Sequence, residues 1–362
     1  MTRLRQGAAR SVSAALLLTV LMLLLSAHSG AVSAVLHGRI MLCLTTLIPS
    51  LYGCTLLGSL LCMSGAANGL GRCFRHIAGL YRMPPAVFGI FLVSQLAGYP
   101  VGAMLLKQAA ARGDISEQDE ARLTCVCFGG GPAFLIGLAG KQYLGSTAHG
   151  VCIMLCCIAA NLTVGLFLRP KTAAGCAVPH EAEVSAAQML TQAASAAMRS
   201  MCAICAAVLL FGVLQCVLEI CGGMRLLTAL GGLAGIHPQT VRAVAGAFAD
   251  VTQLEAVFCC GLPEHVLLPL SAGLLSFGGC CVMLQCVTVG VRQLAPGRLF
   301  CIRLTAALLS GALARICLPL LPLPAAECAA VFAQHAAVSE TGSVIPAFLI
   351  FLTGFPFLLK KD

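Results

Sequence analysis

Tryptophan is absent from the 362 residues, tyrosine occurs four times, and charged side chains make up only 10% of the chain. Soluble domains carry about 25% charged residues, so this sequence cannot cover a folded surface that faces water. No Gly-x-Ser-x-Gly, His-Glu-x-x-His or P-loop signature occurs, and the eight histidines are scattered among loops and segment ends. Enzymatic chemistry therefore has no visible constellation, and neither an organic cofactor nor a metal is called for. Without tryptophan or a basic stripe interleaved with aromatics, the net charge of +9 does not point to nucleic acid.

What the chain has in quantity is apolar sequence, at 59%. Several runs approach the ~20 residues that cross ~30 Å of hydrocarbon as helix, so the bilayer is the principal partner. The predicted fold is an all-α polytopic membrane protein with about eight transmembrane helices, at residues 11–27, 50–66, 86–106, 147–168, 201–222, 241–258, 301–321 and 344–359. Arg3, Arg5 and Arg10, then Arg72, Arg75 and Arg82, then Arg169, Lys171 and Arg199, then Arg292 and Arg298, and finally Lys360 and Lys361 lie between these runs. Basic residues favour the cytoplasmic side, and eight crossings put all five groups there, with both termini inside. Residues 107–122 and 322–343 then fall outside. The first run is read as an uncleaved span. The 22 cysteines sit mostly inside apolar runs and read as small packing residues, Cys202-x-x-Cys205 included.

Two stretches do not fit as simple spans. Residues 117–143 break at Phe128-Gly129-Gly130-Gly131-Pro132, and residues 264–291 break at Ser276-Phe277-Gly278-Gly279. Each arm is too short to cross, so each pair is predicted to be a re-entrant hairpin with a glycine tip. The motifs Ala97-Gly98, Phe128-Gly129-Gly130 and the span near 151 recur at a near-constant offset as Ala245-Gly246, Phe277-Gly278-Gly279 and the span near 299. The expected organisation is an N-terminal helix (1–30), a first repeat (31–169), a cytoplasmic linker (170–184), a second repeat (185–321), and an external loop with a C-terminal helix (322–362). An odd number of crossings per repeat inverts the second, and inverted halves with interrupted helices build a midplane site in secondary transporters.

Asp250 stands near the middle of the 241–258 span, followed by Thr252, Gln253 and Glu255. An ionised carboxylate at the bilayer centre costs at least ~2.5–3.5 kcal/mol, so it faces a water-filled cavity, takes a proton or cation, or is paired. A fixed salt bridge to Arg315 is the structural alternative. In the first half, Pro100 frees carbonyls near Gln95 and Leu96, making Ser94, Gln95 and Tyr99 candidate substrate contacts, with a packing kink as the alternative. The tips contribute backbone N–H groups at Gly130, Gly131, Gly278 and Gly279, and Ser276 adds a hydroxyl. Lys141 or Arg315 would supply charge to an anionic substrate. A proton or sodium ion is the possible coupling ion, and the leading helices at 31–47 and 185–200 could mediate a homo-oligomer.

The ordered set Leu47-Ile-Pro-Ser50, Gly98-Tyr-Pro-Val-Gly-Ala103, Gly131-Pro-Ala-Phe134, Asp250-Val-Thr252 and Ser276-Phe-Gly-Gly279 resembles the YlbJ-like sporulation integral membrane proteins, which contain the nucleoside-recognition, or gate, domain. The resemblance covers about residues 31–321. It implies a protein of the outer forespore membrane that moves dipicolinic acid from mother cell toward forespore, with distant kinship to concentrative nucleoside transporters. This chain departs from the family pattern at Asp250, where a glutamate is expected, and at Gln253-Leu254, where a small polar residue and glycine are expected. Dipicolinate, a planar dianion, needs cations or N–H donors, whereas a nucleoside would be read by neutral groups such as Gln95, Ser94 and Thr252. A non-transporting scaffold in spore assembly is the remaining reading, and it would leave Asp250 dispensable.

Overall fold

The computed structural model describes residues 2–170, 185–289 and 294–321, and among them the chain is helical with no strand. Helix α1 covers Thr2–Ala27, and only His28 separates it from α2, which runs through Ser29–Met63 with a widened π-type turn at Cys43–Leu47. Then follow α3 (Ala66–Cys73), α4 (Arg75–Leu80), α5 (Pro85–Ala97), α6 (Val101–Ala111), α7 (Glu117–Thr124), the π-type α8 (Ala133–Tyr143) and α9 (Thr147–Phe167). The later part comprises α10 (Ala186–Ile220), α11 (Gly223–Leu233), α12 (Pro238–Ala249), α13 (Glu255–Phe258), α14 (Glu264–Phe277), α15 (Gly279–Val289) and α16 (Pro296–Cys317).

The starts of these helices follow from the sequence. Pro85, Pro238 and Pro296 open α5, α12 and α16, where proline's missing N–H costs nothing and its φ is already helical. Ser185 and Gln188 form a reciprocal capping box on α10. Ser116 caps α7, whose first turn carries Glu117, Asp119 and Glu120 at the positive end of the helix.

Among the described residues, five helical segments are long and apolar enough to cross a membrane: Ser29–Met63, Thr147–Phe167, Ala186–Ile220, Glu264–Thr288 and Pro296–Leu320. Val12–Ala27 and Pro85–Ala97 are shorter apolar helices. The expected spans at 50–66 and 201–222 are the second parts of two 35-residue helices, so the separate leading helices at 31–47 and 185–200 are fused to the spans they were expected to precede. The expected span at 344–359 lies outside the described residues.

Two other expected spans fold back on themselves. Within 86–106, α5 packs against α6, and Ser94 Cβ lies 2.8 Å from where a Cβ on Gly102 would stand. A straight helix would hold those residues about 12 Å apart. Within 241–258, α12 packs against α13, and Gln253 Nε2 donates to Gly246 O at 3.4 Å. The stretches expected to be hairpins behave differently. On either side of the break at Gly278, α14 packs on α16 and α9, whereas α15 packs on α10 and α12. Neither α7 with α8 nor α14 with α15 packs side by side.

Helix directions follow from cross-contacts. Helices α9 and α14 run parallel, with His149 Nε2 2.6 Å from Glu264 Oε1 and Cys157 Sγ donating to Ala272 O at 3.8 Å. Helix α16 is antiparallel to both, with Cys157 Sγ 3.5 Å from Ser310 Oγ and Gly311 against Pro269. The starts of α9 and α14 and the end of α16 therefore share one side of the bundle.

Candidate functional site

Four interruptions of helix meet in the centre of the molecule. In the first half, a Cβ on Gly131 would stand 3.2 Å from both Gly98 N and Leu96 O, so the α7–α8 break rests on the turn between α5 and α6. In the second half, a Cβ on Gly279 would stand 2.8 Å from Val251 N, so the α14–α15 break rests on the turn after α12. The two pairs touch at Gly278, where φ is +80° and a Cβ would lie 2.5 Å from the Phe128 ring. Only glycine takes that φ without strain and admits the ring so closely.

Asp250 is the residue at which α12 ends. Its backbone is extended, and its Oδ1 accepts the Thr252 N–H at 3.1 Å, capping the short 3-10 turn Val251–Gln253. The side chain is 1% exposed, and its ion-pair partner is Arg39 of α2 rather than the expected Arg315. Arg39 Nη1 is 3.4 Å from Asp250 Oδ2 and 3.4 Å from Thr252 Oγ1, while Nη2 donates to Gln215 Oε1 at 2.9 Å. Arg39 reaches this position across Gly212 of α10, where a Cβ would stand 3.2 Å from its Cγ.

This arginine separates two spaces. A cavity of about 30 Å³ is lined by Tyr99, Gly130, Phe134, Asp250, Thr252 and Gln285, with apolar residues of α2 and α10. One water needs ~10–15 Å³ of such space, so this cavity holds a water or two and not an organic solute. Tyr99 Oη is buried without a hydrogen-bond partner. On the other side lies a vestibule of about 570 Å³, to which Arg39, Gln215, Glu219, Gln239, Arg242 and Gln253 contribute. That volume falls within the ~300–1,000 Å³ of small-molecule sites. Arg242 pairs with Glu219.

Beside the small cavity lies a second polar assembly around Arg303 of α16, which is fully buried. Its Nη1 donates to Cys125 O at 3.0 Å and to Asn161 Oδ1 at 2.7 Å, and its Nη2 donates to Ser276 O and, at 3.4 Å, to Ser276 Oγ. The guanidinium lies 4.3 Å above the Phe128 ring. Asn161 Nδ2 donates to Phe128 O at 2.7 Å and to Gln95 Oε1 at 3.1 Å, and Gln95 Nε2 donates to Ser94 Oγ at 3.1 Å. No carboxylate pairs with Arg303 among the described residues. Its charge is met by carbonyls at the C-terminal ends of α7 and α14, the negative ends of those helices.

The structure thus gathers Tyr99, Gly130, Asp250 and Thr252 around one cavity, with Gly131, Gly278 and Gly279 packed behind it. Gln253 faces the vestibule. Ser94, Gln95 and Ser276, expected to touch substrate, instead spend their polar groups on the Arg303 network. Lys141, Glu255 and Arg315, expected as coupling or charge partners, are exposed and line neither cavity. Arg39, Asn161 and Arg303 were missed. Arg39 and Arg303 interrupt apolar runs, and an ionisable residue at membrane depth is itself a functional or structural signal.

No family model matches the sequence, and no curated protein or solved structure is significantly similar to it.

Proposed function

We propose that this chain is a membrane transporter of a small organic solute, built from two inverted gate-like halves at residues 31–169 and 185–321. The observation that carries the reading is the Arg39–Asp250 contact, which stands between a vestibule of about 570 Å³ and a small cavity of about 30 Å³ where four helix breaks meet. The recurring order of long helix, short helix, folded-back pair, broken helix and closing helix supports the repeat. In each half the long, broken and closing helices cross, while α5–α6 and α12–α13 dip in and return. This arrangement leaves Arg72, Arg75, Arg82, Arg169 and Arg298 cytoplasmic and brings Lys107, Arg112 and Arg122 to the same side, in keeping with the positive-inside bias.

Arg39 and Arg242 in the vestibule, whose partners Asp250 and Glu219 an anion would displace, suit an anionic solute. The sequence resemblance names dipicolinic acid, moved toward the forespore across the outer forespore membrane of a sporulating bacterium. The three glutamines of the vestibule suit a neutral nucleoside-type solute carried with a proton or sodium ion, which is the second reading. Uptake of radiolabelled dipicolinate and uridine into proteoliposomes, with and without imposed proton and sodium gradients, separates the two. Saturable dipicolinate uptake, lost in Asp250→Asn and Arg39→Gln, is the expected result. Uridine uptake that survives Arg39→Gln would favour the nucleoside reading. No uptake of either compound by correctly folded and inserted protein would overturn transport in favour of a scaffold role in spore assembly.

A further inference from the structure

Away from the central cavities, three thiols converge. Cys152 and Cys156 lie one helical turn apart on the same face of α9, with their sulfurs 4.0 Å apart. Cys317, the last residue of α16, reaches the same place because α16 runs antiparallel to α9. All three sulfurs lie within 4.8 Å of one another, and this is the one such convergence of metal-ligating side chains among the described residues. Cys152 and Cys156 are 8% and 4% exposed, and Cys317 is half-buried.

We infer that Cys152, Cys156 and Cys317 form a binding site for a soft, thiophilic metal ion, with monovalent copper the best fit. The inference is independent of the transport reading. A metal at the centre of three thiolates with bonds of about 2.3 Å sets the sulfurs about 4.0 Å apart. One sulfur pair already has that separation, and the others need close by less than an ångström. The donor set contains no oxygen or nitrogen, which selects against magnesium and calcium and for thiophilic ions. Three donors rather than four suit monovalent copper better than zinc, which closes a tetrahedron in structural sites. Packing alone asks nothing of three sulfurs that a single cysteine at any one of these positions would not supply. The half-buried Cys317 leaves the trio open at the end of α16, where an ion can enter and the protons released by the thiols can leave.

The test uses the purified full-length chain in detergent, loaded anaerobically with copper(I) and then challenged with a copper(I) chelator. The expected result is one copper retained per chain, with a three-sulfur shell at about 2.3 Å by X-ray absorption. Retention should be lost in Cys317→Ser and in the Cys152→Ser/Cys156→Ser double variant, and kept in Cys259→Ser/Cys260→Ser. Monodisperse elution checks folding. Cys317→Ser, at the open edge, keeps the test usable should the buried pair resist substitution. Release of all copper by the native protein, or equal retention by a variant lacking all three thiols, would overturn the site.

Discussion

Two arginines near the centre of this molecule are held in opposite ways. Arg303 has no exposed surface, touches no acid, and is gripped by two backbone carbonyls, an asparagine, a serine and an aromatic ring. Arg39 is 12% exposed and holds its acid, Asp250, through one long contact at the wall of a cavity. A cation whose donors are spent on backbone ties helices together, because moving it would strand both its own charge and the carbonyls. A cation that shares one long ion pair with two neutral side chains beside a cavity has fewer bonds to give up. The first arginine is therefore a fixed joint, and the second is placed to move.

Substitutions that treat the two alike should break the comparison. Arg303→Leu should have the largest effect, a loss of about 3–5 kcal/mol of stability, since it leaves buried polar groups unpaired. Arg303→Lys should not rescue it, because an ammonium cannot reproduce the planar fork. Thermal unfolding in detergent, read by monodispersity, would show both, and a well-folded Arg303→Leu protein would refute the joint.

Gly278→Ala should follow at about 1–3 kcal/mol, from positive φ imposed on a side chain and the clash with Phe128. Gly53→Ala, on a stretch of α2 with open space beside it, is the neutral control. Asn161→Ala should cost about 1–3 kcal/mol by leaving Arg303 and Phe128 O short of a partner.

The smallest effects on stability are expected at the Arg39–Asp250 contact, where the proposed transport should suffer most. Asp250→Asn should change stability by less than about 1 kcal/mol, because Arg39 keeps Gln215 and some water. Arg39→Gln should cost more, since it strands a carboxylate that is almost wholly buried. The double variant should recover part of that loss without recovering uptake, a coupling of about 0.5–3 kcal/mol in a double-mutant cycle. Simple additivity would mean that the pair does not interact.

The centre of the site was legible because its signals are local. An acid inside an apolar run, a proline after Gly98-Tyr99, and paired glycines each announce themselves within a few residues. Arg39 and Arg303 were equally visible as residues, but their meaning depends on partners 211 and 178 positions away. Basic residues between apolar runs read as orientation signals until a partner is known. The observed fold-backs lie away from the glycine pairs for a related reason. A glycine pair permits reversal but does not require it, and Gly278 and Gly279, both at positive φ, join helices whose main neighbours differ. The reversals occur instead at Gly98 and after Asp250, where a short second arm was read as the continuation of a span.

The carbonyl cage around Arg303 also orders events during synthesis. Its ligands come from residues 125, 161 and 276, all of which leave the ribosome before α16, the least apolar of the five long helices. An arginine in a helix entering lipid alone is penalised by about 2.5–3.5 kcal/mol at the insertion machinery. The nascent chain has already made the groups that remove this penalty, so α16 is suited to enter as a guest of a waiting bundle, and a chain that stops short of it would carry an empty socket.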